Sequence, residues 1–268
     1  KDYFFTKYME NYLNQFSKKL GCYDNYSNNY EYVPPFQPWL INSSQNSSLN
    51  SDSQRDYKFF QSLKNLEKSK NLSVFCSTKK ITDDHTIRLK FVEKLKEHFN
   101  DDLDWYGHKD NLLDQKWEGI SPYKYHIVIE NESRNNLISE KLYDSFLGIS
   151  YPFYFGAPNI LSYFPKNSLT RIDIFDLPKT IELIEESIFN NTYENSFESL
   201  IESKNIVLDE FNLFKRIRNE VQKLPKNNTD KKIIKLYSVG EFWKRNVNTK
   251  QKTKHYLKRK LRLNLRNY

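Results

Sequence analysis

The chain has 268 residues, 38% hydrophobic and 16% aromatic, with a net charge of +8 and a pI near 9.1, enough length for one large or two small domains. Six glycines and nine prolines exclude a fibrous or low-complexity protein, and no run of about 18 apolar residues marks a membrane span. The positive charge favours anionic partners (sugar nucleotides, anionic lipid or nucleic acid) without choosing among them.

Tyr3, Phe4, Phe5, Tyr8, Tyr12 and Phe16 stand at loosely helical spacing, until Pro34, Pro35 and Pro38 break any regular element. Residues 42–56 are rich in Ser and Asn and almost devoid of apolar side chains, which predicts a loop and a domain boundary. Val74–Ser77 reads as a short buried strand. Residues 86–99 place Ile87, Phe91, Leu95 and Phe99 on one helical face with charges opposite. Strands are predicted over Leu103–Gly107, Tyr125–Glu130, Tyr151–Gly156 and Ile172–Ile174. Helices are predicted over Ser139–Leu147, around Ile181–Ile188 and within residues 195–224. This alternation predicts an α/β fold with a parallel sheet of Rossmann-like layout. Cys22 and Cys76 lie far apart and in no metal-ligand spacing, as expected of two reduced thiols in a cytoplasmic protein.

No GxGxxG, GxxxxGK[ST], HExxH or paired CxxC occurs, so the usual dinucleotide, P-loop and zinc chemistries lack support. Asp102-Leu103-Asp104 matches a DxD pattern that holds a metal in some glycosyltransferases. Between a helix and a strand it reads first as a solvated acidic turn, and no metal is expected. The informative stretch is residues 123–165. A buried strand delivers Glu130 and Asn131 at its carboxyl end, and after a polar loop Ser139-Glu140-Lys141 opens a helix with Ser139 as N-cap. Ligands of open parallel sheets bind outside the carboxyl ends of the strands, and helix N-termini suit phosphate. A lysine in a first turn opposes the helix macrodipole unless an anion sits there; a surface Glu/Lys pair is the plainer alternative.

Tyr123-Lys124-Tyr125, Ile129-Glu130-Asn131, Ser139-Glu140-Lys141, Pro152, Tyr154, Gly156, Pro158-Asn159 and Pro165 occur in the order of the family 10 glycosyltransferase signature. The chain therefore resembles the α-1,3/1,4-fucosyltransferases over roughly residues 70–220, and more weakly through Ser77, His85, Arg88 and Tyr106-Gly107 upstream. The resemblance implies a GT-B-type fold of two Rossmann-like domains and an inverting transfer of fucose from GDP-fucose to an oligosaccharide or glycolipid hydroxyl. On that reading residues 1–56 form a partial acceptor-side domain and loop, 57–230 the GDP-sugar-binding domain and 231–268 a basic tail. Arg88 and Lys141 would neutralise the departing pyrophosphate, Asn131 would bond the nucleotide, and Glu140 the ribose or the fucosyl ring. The ordinary reading of Arg88, a charged residue on an amphipathic helix, is a solvated side chain.

Two departures from the pattern bear on activity. Leu137 stands near the position where the family carries an aromatic, which opens a related NDP-sugar as donor. The family's general base, a Glu in a TGEN-type motif, has no counterpart here. Asp2-Tyr3 matches the segment that follows that motif, so the base is expected ahead of residue 1, with Glu10 and Glu31 the nearest acids. A base-lacking sugar-nucleotide or glycan-binding protein is the alternative. Residues 250–268 carry eight Lys or Arg and no acid, with Tyr256, Leu261 and Leu265 at loose helical spacing. This composition fits the inner, anionic face of a membrane, and the lack of interleaved aromatics argues against nucleic acid.

Overall fold

The computed structural model describes residues 12–23, 30–43, 55–80, 83–108, 111–224 and 235–246, with the side chains of 243–246 left aside. Asp2-Tyr3, Glu10 and the basic tail lie outside these residues. The chain divides into two compact units, one of residues 1–32 with 225–268 and one of Val33–Leu224. In the first, strands β1 (Lys19–Gly21) and β2 (Tyr30–Tyr32) pair in parallel. The Tyr12 ring there packs edge-on against Phe242, with centroids 5.8 Å apart. Glu31, on β2, is exposed and paired with Lys18 at 3.1 Å.

The second unit begins at Val33, upstream of the Ser/Asn-rich run expected to mark the boundary. The reason is a set of bonds from residues 34–40 to helices far along the chain. The Leu40 amide donates to Asp144 Oδ1 at 2.8 Å, and Arg216 donates to the Pro34 and Pro35 carbonyls at 2.7 Å each.

Within this unit follow α1 (Tyr57–Ser62), β3 (Lys70–Phe75), α2 (Asp83–Phe99), β4 (Leu103–Tyr106), β5 (Tyr123–Ile129), α3 (Glu140–Leu147) and β6 (Tyr151–Phe155). Then come β7 (Thr170–Arg171), α4 (Leu177–Phe189), the single turn α5 (Thr192–Asn195), α6 (Phe197–Asp209) and α7 (Leu213–Lys223). The five strands β3–β7 form one parallel sheet in the order β4-β3-β5-β6-β7. The α/β, Rossmann-like expectation is met. The predicted strand at Ile172–Ile174 is shifted: pairing ends at Arg171, with one further bond from the Ile172 amide to the Tyr154 carbonyl. Helix α2 starts three residues ahead of the predicted position, because Asp83 and Asp84 complement its N-terminal dipole.

Side chains alternate across the sheet. Tyr125 and Phe153 stack on one face, centroids 5.5 Å apart, and the Tyr125 hydroxyl donates to the Ser187 carbonyl of α4 at 2.9 Å. On the other face His126, Glu130 and Tyr154 turn towards α3. His126 is buried against Ser73 at 2.8 Å, and burial pushes its pKa down to about 3. The Ser73 hydroxyl donates to the Gly119 carbonyl at 2.8 Å, so it accepts from His126 Nδ1–H and holds a neutral ring. Rings supply much of the core: Tyr123, Tyr125, Tyr143, Tyr154, Phe146 and Phe153 are all fully buried. Their large area offsets the modest aliphatic content.

Two lysines satisfy carbonyls at element ends. Lys204, buried, donates to the Phe60 carbonyl of α1 (2.7 Å) and to that of Leu63, its C-cap, and the half-buried Lys68 donates to the carbonyls of Ser121 and Gly148, each at 2.7 Å.

Candidate functional site

Strand order reverses between β3 and β5: from β3 the chain moves outward to β4, and from β5 the other way to β6 and β7. The connecting helices leave on opposite faces, so a crevice opens where the two strands end, the usual ligand position in doubly wound sheets. Cys76 follows β3 there, and Glu130 and Asn131 follow β5.

Glu130 organises the crevice. Only 2% exposed, it accepts from the Ser139 amide (2.8 Å) and hydroxyl (2.7 Å) and from Lys141 Nζ (3.2 Å), while its own amide donates to the Phe155 carbonyl at 2.8 Å. Ser139 caps α3 by accepting from the Lys141 amide at 3.3 Å. The carboxylate thus fixes both the entry of α3 and the direction of Lys141, whose side chain keeps 27% exposure towards solvent. The anion expected beside Lys141 is, within the protein, Glu130 itself.

Arg88 departs from the solvated reading. It is 7% exposed, and its Nη1 reaches the Ile129 carbonyl only at 3.5 Å. Its Nε is buried without a hydrogen-bond partner, and no carboxylate pairs with it among the described residues. Burial pushes the Cys76 thiol up and His85 down, and Arg88 and Lys141 act electrostatically on both groups.

The polar loop 131–138 is held from behind. Asn136 sits buried at φ +64°, a conformation asparagine tolerates better than most residues. Its amide donates to Asn159 Oδ1 at 2.8 Å, and its Oδ1 accepts from Asn159 Nδ2 at 2.7 Å and from the Tyr163 hydroxyl at 2.5 Å. The Tyr154 hydroxyl accepts from the Ala157 amide at 2.9 Å. Gly156 lies between: a Cβ there would stand 2.3 Å from that hydroxyl and 2.6 Å from Glu130 Cγ. That contact gives the physical reason for glycine in the Tyr154-x-Gly156 pattern.

Of the residues singled out in the sequence, Arg88 and Lys141 flank the crevice, Asn131 is exposed at its edge and Glu140 is half-buried as the first residue of α3. Glu130 was legible as a strand end but not as the clamp on Ser139 and Lys141. The Asn136–Asn159–Tyr163 set was not legible, since its members lie up to 27 residues apart. Asp102 and Asp104 sit at the opposite end of the sheet. Asp104 is engaged by Lys70 (2.9 Å) and the Tyr123 hydroxyl (2.6 Å), which hold its pKa down against the opposing effect of burial. No group of three or more metal-ligating side chains occurs among the described residues.

Comparison with known proteins gives this geometry a family. The pattern described as Glycosyltransferase family 10 (fucosyltransferase) C-term matches residues 65–197. Alpha-(1,3)-fucosyltransferase FucT of Helicobacter pylori is 24% identical over 86 residues, 32% of this chain and 18% of that protein. The match thus spans less than a fifth of the relative's length. A crystal structure of an alpha1,3-fucosyltransferase with GDP-fucose aligns with a TM-score of 0.51 at 16% identity, covering 81% of this chain and 72% of the other. One with GDP aligns with a TM-score of 0.47 at 16% identity, covering 72% and 69%. The first of these likenesses shows a shared fold, and the sequence pattern covers the strands and helices that build the crevice. Residues 65–197 thus carry the C-terminal domain pattern of glycosyltransferase family 10, the fucosyltransferases.

Proposed function

We propose that the chain binds GDP-fucose in the β3/β5 crevice and takes part in its transfer, with inversion, to a hydroxyl of an oligosaccharide or glycolipid. The observation that carries this reading is Arg88: a buried guanidinium with an unpartnered Nε at the switch point. An unpaired buried charge is costly, and a bound diphosphate completes it. The related fucosyltransferase solved with GDP-fucose supports the choice of donor.

In the reaction, an acceptor oxygen attacks the anomeric carbon from the face opposite the diphosphate and loses its proton to a base. The bond from that carbon to the β-phosphate oxygen breaks, and its electron pair leaves with GDP. Arg88 and Lys141 balance the charge that grows on that oxygen, an interaction stronger in the transition state than in the ground state. Glu130 is a positioning residue that keeps Lys141 directed at the crevice. Asn131 bonds the nucleotide, and Glu140 the ribose or the fucosyl ring. Leaving-group charge held by two side chains needs no divalent metal.

No sufficiently long apolar helix for a membrane crossing occurs among the described residues. The basic residues of 250–268 suit peripheral contact with an anionic membrane face.

Calorimetry with GDP tests the donor site: Lys141→Ala is expected to weaken binding by about 1.5–3 kcal/mol, the scale of a charge-assisted hydrogen bond. Equal affinity in the two proteins would remove Lys141 from the site. Acceptor-dependent GDP release is expected to survive a chelator; loss restored by manganese and abolished in Asp102→Ala would reverse the metal-free assignment.

A further inference from the structure

Phe175 stands at the carboxyl edge of the sheet, an exposed ring in a fastened turn. It is 71% exposed, follows β7 and packs edge-on against Phe155, with centroids 6.1 Å apart. Its amide donates to Asp173 Oδ1 at 2.9 Å, and the Asp176 amide donates to the Asp173 carbonyl at 3.2 Å. The Thr180 hydroxyl donates to the same carbonyl at 2.8 Å, and Asp176 Oδ1 caps α4 by accepting from the Lys179 amide at 3.1 Å. The ring is thus held out in water by bonds on both sides of it. Its place is beside the donor crevice. Phe155, two residues beyond Phe153, lies on the α4 face of the sheet. Helix α2, which carries Arg88, packs on that same face, with His98 bonded to Glu185 of α4 at 2.8 Å. Phe155 is the register partner of Ile129, whose carbonyl faces Arg88. With ~4.8 Å between neighbouring strands, the Phe175 ring stands on the order of 10–15 Å from the guanidinium, past the sugar that a diphosphate there would carry.

We propose that Phe175 is the platform on which a neutral pyranose ring of the acceptor glycan stacks, with Asp173 and Asp176 accepting from its hydroxyls; this rests on the donor site assigned above. Shape, charge and place select that occupant. A pyranose presents a C–H face about as large as one aromatic ring, with hydroxyls around its rim. The turn offers the matching pattern, one apolar ring between two carboxylates. Both acids are exposed, and each uses only its Oδ1 within the protein, so each Oδ2 can accept. Neither has an ion-pair partner among the described residues, and Lys179 pairs with Glu182 instead, at 2.8 Å. Uncompensated carboxylates repel anionic lipid and the diphosphate itself. A single ring also lacks the contiguous apolar area that a bilayer or a protein partner takes up. Place then selects the acceptor over the donor, because the ring lies beyond the sugar bonded to the diphosphate.

Saturation-transfer NMR of the full chain with N-acetyllactosamine, in the presence of GDP, tests the proposal. Wild type is compared with Phe175→Ser, Phe175→Tyr and Phe189→Ser, the last removing another bare ring, 85% exposed, at the far end of α4. In wild type, saturation is expected on the C–H protons of one face of a sugar ring. Phe175→Ser is expected to weaken saccharide binding by about three- to tenfold through the loss of one apolar ring face. Phe175→Tyr is expected to keep binding, and Phe189→Ser to leave it unchanged. Phe175 is exposed and lies outside the donor constellation, so the melting temperature and GDP affinity of Phe175→Ser are expected to match wild type. Saccharide binding that is undiminished in Phe175→Ser, or lost equally in Phe189→Ser, would overturn the proposal. So would a wild-type chain that binds GDP but no saccharide. A wild-type chain that binds no GDP would refute the donor site itself, and the platform with it.

Discussion

Replacing Arg88 by Met is expected to separate stability from binding in opposite directions. The guanidinium is 7% exposed, has one long bond to the Ile129 carbonyl at 3.5 Å and leaves its Nε unpartnered. A buried polar group without a partner costs about 1–3 kcal/mol. Methionine fills a similar volume without a polar atom, and it adapts to irregular space. The ligand-free variant is therefore expected to melt higher than wild type by about 2–12 °C, at about 2–4 °C per kcal/mol for a domain of this size. GDP binding moves the other way. Loss of one charge-assisted bond weakens it by about 1.5–3 kcal/mol, or roughly 10- to 150-fold. At a GDP concentration one hundred times the wild-type Kd, ligand linkage adds about 2.7 kcal/mol to wild type but only about 0.3–1.4 kcal/mol to the variant. Thermal melts with and without GDP read both effects in one experiment. A variant that melts lower than wild type without ligand, yet shows an undiminished GDP shift, would refute the reasoning. Arg88 would then be a structural residue with a satisfied environment.

Gly156→Ala places a methyl 2.3 Å from the Tyr154 hydroxyl and 2.6 Å from Glu130 Cγ, contacts that both partners must yield to relieve. It is expected to destabilise by about 1–3 kcal/mol in urea titration and to weaken GDP binding as Glu130 and Lys141 shift. Lys68 sets a pH dependence: burial lowers its pKa to about 7, against 10.5 for the free side chain. Between these values the unfolded chain binds more protons than the folded one, so this group makes stability rise with pH, by at most about 1.4 kcal/mol per unit. Urea midpoints from pH 7 to 9 are expected to show that rise, and Lys68→Met to flatten it.

The elements that end at the crevice were readable because their signals are local. The apolar run of β5 marks a buried strand. Ser139 followed by Glu140 and Lys141 marks a capped helix start, and periodicity marks α2. Each depends on neighbours a few residues apart, as does the alternation that predicts a parallel sheet. The family resemblance rests on the same short stretch, with Arg88 and Lys141 assigned from it.

What depended on distance in sequence was not readable. The order β4-β3-β5-β6-β7 decides where the switch point falls, and many strand orders are compatible with one alternating pattern. Burial of Arg88 follows from β5 lying beside β3, which brings the Ile129 carbonyl, 41 residues away, against a helix face that looks solvated in isolation. Lys141 points to Glu130 because β5 and α3 meet at the sheet's carboxyl edge. The segment 34–40 is bonded to Arg216 and Asp144, more than a hundred residues downstream, contacts that local composition does not reveal. Helix α7 shows the division most simply. Its amphipathic spacing is a property of the sequence, but only the anchoring of Arg216 and Lys215 decides that the apolar side faces outward, since periodicity defines a face and packing chooses its direction.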